Sequence, residues 1–83
     1  MNNKTRMAFL VDEDFGEVTA FFVDDKWNEK DYTSYSHVGQ HGPASVEWAK
    51  GCRQARKDEY TALLNELTEI GYDVEAVKLA DFF

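Results

Sequence analysis

The sequence predicts an α+β fold, a small two-layer domain in which two helices cover one face of a mostly antiparallel four-stranded sheet. Short apolar runs bounded by turn residues come first, a run with helical spacing follows, and an alternating run comes last. The predicted element order is therefore β-β-β-α-α-β. A length of 83 residues, of which 43% are hydrophobic and 30% charged, favours one globular domain over residues 1–83.

The first two strands form a predicted hairpin. Residues 1–5 are polar and are expected to fray, whereas residues 7–11 are continuously apolar, which favours a buried strand. Gly16 suits a turn of three to five residues before a second strand over residues 17–23. Because both faces of this strand are apolar, we expect it inside the sheet or against a partner. Its two faces carry Val18, Ala20 and Phe22, and Thr19, Phe21 and Val23.

The middle of the chain is less regular. Residues 32–38 contain Tyr, Thr and Val and predict a third strand. The glycines and proline of residues 39–43 break this pattern, and Pro43 suits the start of a helix. A short helix is expected over residues 44–52, with Val46, Ala49 and Cys52 on its inner side.

The clearest local pattern spans residues 57–70. Its apolar residues recur at the spacing of one buried helix face, and Gly71 follows as a C-terminal cap. Residues 72–79 alternate and predict a final strand, which a right-handed helical crossover brings parallel to the first strand. The expected strand order across the sheet is third, second, first, last. The apolar residues of the helix are Tyr60, Leu63, Leu64, Leu67 and Ile70.

The net charge of -7, from 16 acids and 9 bases, argues against a protein that coats nucleic acid. Residues 12–31 hold eight acids and two lysines, whereas residues 50–57 hold four bases and no acid. Solubility explains the acidic block in the simplest way, and an imitation of a phosphate backbone is the sharper interpretation. The basic block is expected to neutralise the end of the first helix and to pair with nearby acids.

A loop containing His37, Gln40 and His41 is the most unusual polar segment of the chain. The histidines could hold a metal with Cys52, or one of them could activate that thiol as a nucleophile. The spacing matches no zinc finger or metalloprotease pattern, so no metal site, catalytic residue or cofactor is expected. In the simpler interpretation, His37 caps a strand end and His41 makes a hydrogen bond within its loop.

Cysteine content and hydropathy predict the compartment. One cysteine cannot form an internal disulfide, which favours a reducing cytoplasm. No apolar run reaches the roughly 20 residues of a membrane span, and no apolar segment of signal-peptide length follows the first residues. We therefore expect a cytoplasmic protein that does not contact a membrane.

These observations predict a small non-enzymatic module that binds another protein, in an adaptor or regulatory role. Trp27 lies in a charged connection, where an exposed aromatic ring would anchor a partner. Aromatic residues at the chain end, Phe82 and Phe83, exceed what one small core can use, and a homodimer would absorb them. The predicted binding residues are Trp27, Asp24, Asp25, Glu29 and Asp31, followed by His37, Gln40 and His41.

Two other functions stay open at this point. The first is an acidic inhibitor that mimics nucleic acid and blocks a nucleic-acid enzyme, of the kind that phages or mobile elements encode. The second is a minimal metal- or thiol-dependent enzyme.

Overall fold

The computed structural model describes residues 4–36 and 40–83. Within these residues lie six strands, two α-helices and a short 3-10 helix at Leu79–Asp81. The strands and helices, in chain order, are β1 (Thr5–Asp12), β2 (Glu17–Lys26), β3 (Tyr32–Ser36), β4 (Gln40–Ala44), α1 (Val46–Gly51), β5 (Arg53–Gln54), α2 (Lys57–Ile70) and β6 (Val74–Val77).

The sheet is centred on β1. On one side β1 pairs antiparallel with β2, which continues to β3 and β4. On its other side β1 pairs in parallel with β6 along its first half and antiparallel with β5 near its end. The predicted hairpin and the return of the last strand beside the first are therefore confirmed. The expectation of four strands is wrong, because the described part of the chain forms six.

The two additional strands come from segments with weak strand preference. β4 contains Gly42 and Pro43, which predict a break before the helix rather than a strand. It forms a strand because β3 offers an unpaired edge, and a proline is tolerated on an edge strand. β5 is only two residues long and pairs with Leu10 and Val11 as the chain passes from α1 to α2.

The helices cover opposite faces of the sheet, and the prediction that both lie on one face is wrong. Leu63 and Leu67 of α2 pack against the face that carries Phe9 and Phe22. We call this the α2 face. The other face, the α1 face, is covered by α1 and by the segment from Leu79 onward. Because successive strand side chains point to opposite sides, the apolar runs of β1 and β2 need cover on both.

Helix α2 begins and ends as its sequence predicts. The Glu59 carboxylate accepts a hydrogen bond from the backbone N–H of Arg56, 2.8 Å away, and so satisfies a donor ahead of the first turn. The helix ends at Gly71, which has a φ of 125°. Since L-residues rarely adopt this conformation, glycine is required there.

Two bases of the basic block, Arg53 and Arg56, pair with acids in the first turn of α2. Arg53 donates two hydrogen bonds to Glu59, at 2.8 and 2.6 Å, and Arg56 lies 3.3 Å from Asp58. The expected pairing with nearby acids is confirmed for Arg53 and Arg56. In the described part of the chain, no helix is long and apolar enough to cross a membrane.

Candidate functional site

The turn between β1 and β2 presents Phe15, whose side chain is 79% exposed. The turn is well ordered by hydrogen bonds to Asp12. The Asp12 carbonyl accepts the N–H groups of Phe15 at 3.2 Å and Gly16 at 2.6 Å, and the Asp12 carboxylate accepts that of Asp14 at 3.0 Å. Gly16 has a φ of 70°, which closes the hairpin. The phenyl ring is thus held outward on a fixed backbone.

The segment that carries this ring is rich in acids. Residues 7–23 contain no base, and their four acids are Asp12, Glu13, Asp14 and Glu17. Glu47 of α1 lies near the same turn, where it lines a shallow recess with Asp12 and Asp14. We call residues 12–17 the acidic turn. It combines a strongly exposed aromatic ring with a segment that contains acids and no base. Arg53 of β5 lies close enough to be affected, because its pKa is raised mainly by Glu59 and also by Glu13.

Trp48 of α1 fixes the base of the acidic turn. Its indole Nε1 donates to the Asp12 carboxylate across 3.1 Å, and its backbone N–H donates to the hydroxyl of Ser45, the residue that caps α1. The carboxylate and carbonyl of Asp12 therefore both accept hydrogen bonds from within the protein. Glu13, Asp14 and Glu17 are exposed to solvent.

Phe15 was not among the predicted binding residues, because the glycine beside it was sufficient to explain a turn. The signal that identifies it is an aromatic residue set among acids in a segment without a single lysine or arginine. Turn chemistry predicts the backbone, but it does not reveal whether another element covers the ring.

Trp27, the predicted anchor, lies in the turn between β2 and β3 and is 48% exposed. This turn is also ordered. The Asn28 side-chain oxygen accepts the N–H groups of Lys30 and Asp31, both at 2.8 Å, and the Trp27 N–H donates to the Asp31 carbonyl across 3.0 Å. The ring is therefore available, although about half of it is covered.

The acids around Trp27 are partly neutralised. Arg6 donates two hydrogen bonds to the Asp24 carboxylate, at 2.7 and 2.6 Å, which lower the pKa of Asp24. Lys26 donates to the carbonyl of Glu29 across 3.2 Å and lies over the ring of Tyr32. Lys30 is in the same turn. This end of the molecule is therefore a mixture of charges, with Asp25 as an exposed acid.

The two acidic groups do not form one continuous surface. One lies at the start of β2 and the other at its end, and a strand of 10 residues spans about 30 Å.

The histidine loop is described only in part, because His37 lies outside the described residues. Gln40 and His41 are exposed and lie in β4. His41 Nε2 is within hydrogen-bond distance of the Tyr72 hydroxyl, at 2.9 Å, and the His41 ring meets that of Tyr35 edge to face. The structure therefore joins His41 to Tyr72, which follows the end of α2.

A second polar contact lies beside His41. The Tyr35 hydroxyl donates to a Glu66 carboxylate oxygen across 2.5 Å. This bond, together with burial, raises the pKa of Tyr35. Tyr35 thus stays protonated and acts as a hydrogen-bond donor that fixes β3 to α2.

Cys52 lies on the other side of the sheet from His41. The thiol packs on the α1 face and lies 3.4 Å from the Trp48 carbonyl, whereas His41 contacts Phe22 and Tyr35 of the α2 face. Burial and the charge of Asp12 raise the pKa of Cys52. These two residues therefore do not form a nucleophile and base pair. Among residues 4–36 and 40–83, no group of three metal-ligating side chains comes together.

Comparison of this chain with protein-family models, with curated proteins and with solved structures finds no match.

Proposed function

We propose that this protein is a non-catalytic, acidic protein-binding module that docks its acidic turn on a basic surface of a partner protein. One observation carries the proposal. Phe15 is the most exposed large apolar side chain among the described residues, and it stands among acids in a segment that contains no base.

Physical chemistry favours this turn as a docking element. An aromatic ring that leaves water on binding supplies affinity, and surrounding carboxylates steer a basic partner towards it. The hydrogen bonds to Asp12 already fix the backbone of the turn. Binding therefore loses little additional conformational entropy.

The acidic turn suits this role better than the turn that carries Trp27. Trp27 is more covered than Phe15, and Lys26 and Lys30 stand among the acids beside it. A basic surface would meet attraction and repulsion together at that end. The assignment of the binding site to Trp27 stays a prediction that the same experiment tests.

The test is a comparison of immobilised variants. Wild-type protein, Phe15→Ala and Trp27→Ala would each be exposed to a lysate of the source cells, at about 50 and about 200 mM salt. We expect the wild type and Trp27→Ala to retain the same basic proteins at low salt, with less retained at high salt. Phe15→Ala should lose them, because the anchor ring is gone.

The two variants are matched controls, since each removes one exposed ring from an ordered turn. Circular dichroism would establish that both are folded. Retention of every partner by Phe15→Ala would overturn the proposal. Loss of the partners by Trp27→Ala alone would assign docking to the other end of the molecule and would also overturn it.

A further inference from the structure

A groove on the α1 face opens beside the acidic turn. Helix α1 has only six residues, and the outer part of this face, across β2 and β3, is left open next to it. The groove has a volume of about 440 Å³, within the range of about 300 to 1,000 Å³ that small-molecule sites occupy. Its polar and aromatic lining residues include Glu17, Thr19, Ser34, Ser36 and Trp48.

Strand pairing brings three hydroxyl side chains together in this groove. Ser36 lies directly opposite Thr19 in the ladder between β2 and β3. Ser34 lies opposite Phe21, whose ring is buried on the α1 face. Because successive side chains of a strand alternate between the two faces, Thr19, Ser34 and Ser36 share the face of Phe21.

These hydroxyls are available as hydrogen-bond acceptors. Ser34 donates to the Gly42 carbonyl across 3.0 Å, so its oxygen is left to accept a hydrogen bond from a ligand. Thr19 and Ser36 are half-buried, and within residues 4–36 and 40–83 neither hydroxyl has a hydrogen-bond partner. The groove therefore suits a ligand that is rich in N–H donors.

The charge at the groove favours a cation. Glu17 lies directly opposite Asp12 in the hairpin, and like charges in opposite positions of a sheet repel each other. No basic side chain of the described residues lies within 4.0 Å of either carboxylate. The residues that line the groove include no base. A cation bound at Glu17 would offset this repulsion.

Trp48 supplies an aromatic wall. Its Nε1 donates to the Asp12 carboxylate across 3.1 Å, and this bond holds the half-buried indole in position beside the groove. The face of an indole attracts cations, and it attracts a planar guanidinium that can stack on it most often.

We propose that the groove binds an arginine side chain of the partner protein, whose guanidinium donates to Glu17 and to the hydroxyls and stacks on Trp48. Arginine fits better than lysine, because its five N–H donors form a rigid planar fork that can serve a carboxylate and hydroxyls together. This inference rests on the proposed function, since the arginine belongs to the basic surface that meets the acidic turn.

The first test titrates the full chain with N-acetyl-arginine amide and follows heteronuclear NMR spectra. The chain has two tryptophans, and a Trp27→Phe variant identifies the indole signal of Trp48. We expect the probe to shift this signal together with the backbone signals of Thr19 and Ser36. N-acetyl-lysine amide should bind more weakly, and the neutral N-acetyl-citrulline amide should leave the signals in place. Equal shifts with the arginine and citrulline probes would refute the proposal.

The second test removes the charge that the guanidinium meets. Glu17→Gln should raise the Kd of the arginine probe by about tenfold, because a charge-assisted hydrogen bond is lost. Glu13→Gln is the matched control, since Glu13 is an exposed acid of the same turn that does not line the groove. It should bind the probe like the wild type. An equal rise in Kd for both variants would mean that the charge of the turn, and not the groove, attracts arginine.

Phe15→Ala separates this inference from the proposed function. Phe15 does not line the groove, so this variant should bind the arginine probe as the wild type does. Loss of probe binding by Phe15→Ala would contradict the assignment of arginine to the groove. Retention of partner proteins by the same variant would overturn the docking role of the acidic turn and leave the arginine site standing.

Discussion

Glu59 joins three interactions at the start of α2. Its carboxylate accepts two hydrogen bonds from Arg53 and one from the backbone N–H of Arg56. These contacts lower the pKa of Glu59 to about 2, mainly through Arg53. A carboxylate stabilised in this way in the folded state makes folding dependent on pH.

We expect this contribution to disappear in acid. Because the pKa of Glu59 is lower in the folded state than in the unfolded state, its stabilisation is complete above the unfolded value and is lost as pH falls towards about 2. Glu59→Gln should therefore lower the Tm near neutral pH and flatten its decline below about pH 5. Thermal unfolding followed by circular dichroism measures both effects.

Glu69→Gln supplies the control, because Glu69 is an exposed acid near the other end of the same helix. It should leave the Tm profile close to that of the wild type. If the Tm of Glu59→Gln fell with decreasing pH as steeply as that of the wild type, the pairing of Glu59 with Arg53 would contribute nothing measurable to the pH dependence of stability.

Asp12 is the residue on which the acidic turn depends. Its carboxylate accepts hydrogen bonds from Trp48 Nε1 and from the Asp14 N–H. Asp12→Ala should lower the free energy of unfolding by about 1 to 2 kcal/mol, because it leaves the half-buried indole without its acceptor. Glu13→Ala removes a neighbouring exposed acid and should change the free energy of unfolding by less than about 0.5 kcal/mol. Urea denaturation separates the two outcomes, and equal effects would contradict this role of Asp12.

At the level of single residues, the sequence predicted some features of the site and not others. Gly16 and Gly71 were predicted where a positive φ is needed, because few other residues tolerate it. The bond between Asp12 and Trp48 joins residues that are 36 positions apart. Local periodicity carries no information about such contacts, and the exposure of Phe15 depends on them in the same way.

Among the elements, α2 illustrates how burial decides the effect of a substitution. Leu63 is fully buried against the sheet, whereas Ile70 in the last turn is 52% exposed. Leu63→Ala should destabilise the protein by about 2 to 5 kcal/mol, since it removes buried surface and leaves a cavity. Ile70→Ala should change the free energy of unfolding by less than about 0.5 kcal/mol.

Urea denaturation with both variants checks this prediction, and a constant m-value would show that the comparison is valid. A similar decrease in the free energy of unfolding for the two variants would mean that the Ile70 side chain is covered in solution. Such a result would point to an interface at the end of α2.

The elements also show where sequence patterns succeed. The bounds of α2 were predicted because five apolar residues repeat at helical spacing and a glycine ends the run. β4 was not predicted, because its residues have little preference for a strand. It forms a strand through its backbone pairing with β3, which the local sequence does not reveal. The final strand was predicted over residues 72–79 but pairs only over Val74–Val77, since its ends turn away to join α2 and the 3-10 helix.

For the whole molecule, the arrangement of layers follows from β1 and β2. The double-sided apolar pattern of β2 was recognised in the sequence, yet both helices were expected on one face. The structure places α2 on one face, and α1 with the chain end on the other. The spare aromatic residues are partly explained by this second core, where the Phe83 ring meets those of Phe21 and Tyr32.

Mimicry of nucleic acid by the whole molecule stays a prediction. The two acidic groups lie at opposite ends of β2, so a mimic would have to engage both ends across about 30 Å. Competition with DNA or RNA for a nucleic-acid enzyme would then be sensitive to neutralisation at either end. The proposed module needs the acidic turn alone.

The central position of β1 has a consequence for how the chain reaches its native state. β1 and β2 are synthesised before α1, α2 and β6, which complete the sheet and cover its two faces. At about 5 to 20 residues per second, a hairpin that is apolar on both sides stays uncovered for several seconds. Nascent chains stalled before residue 74 should therefore recruit chaperones or aggregate, and synthesis of residues 74–83 should free them from the chaperones.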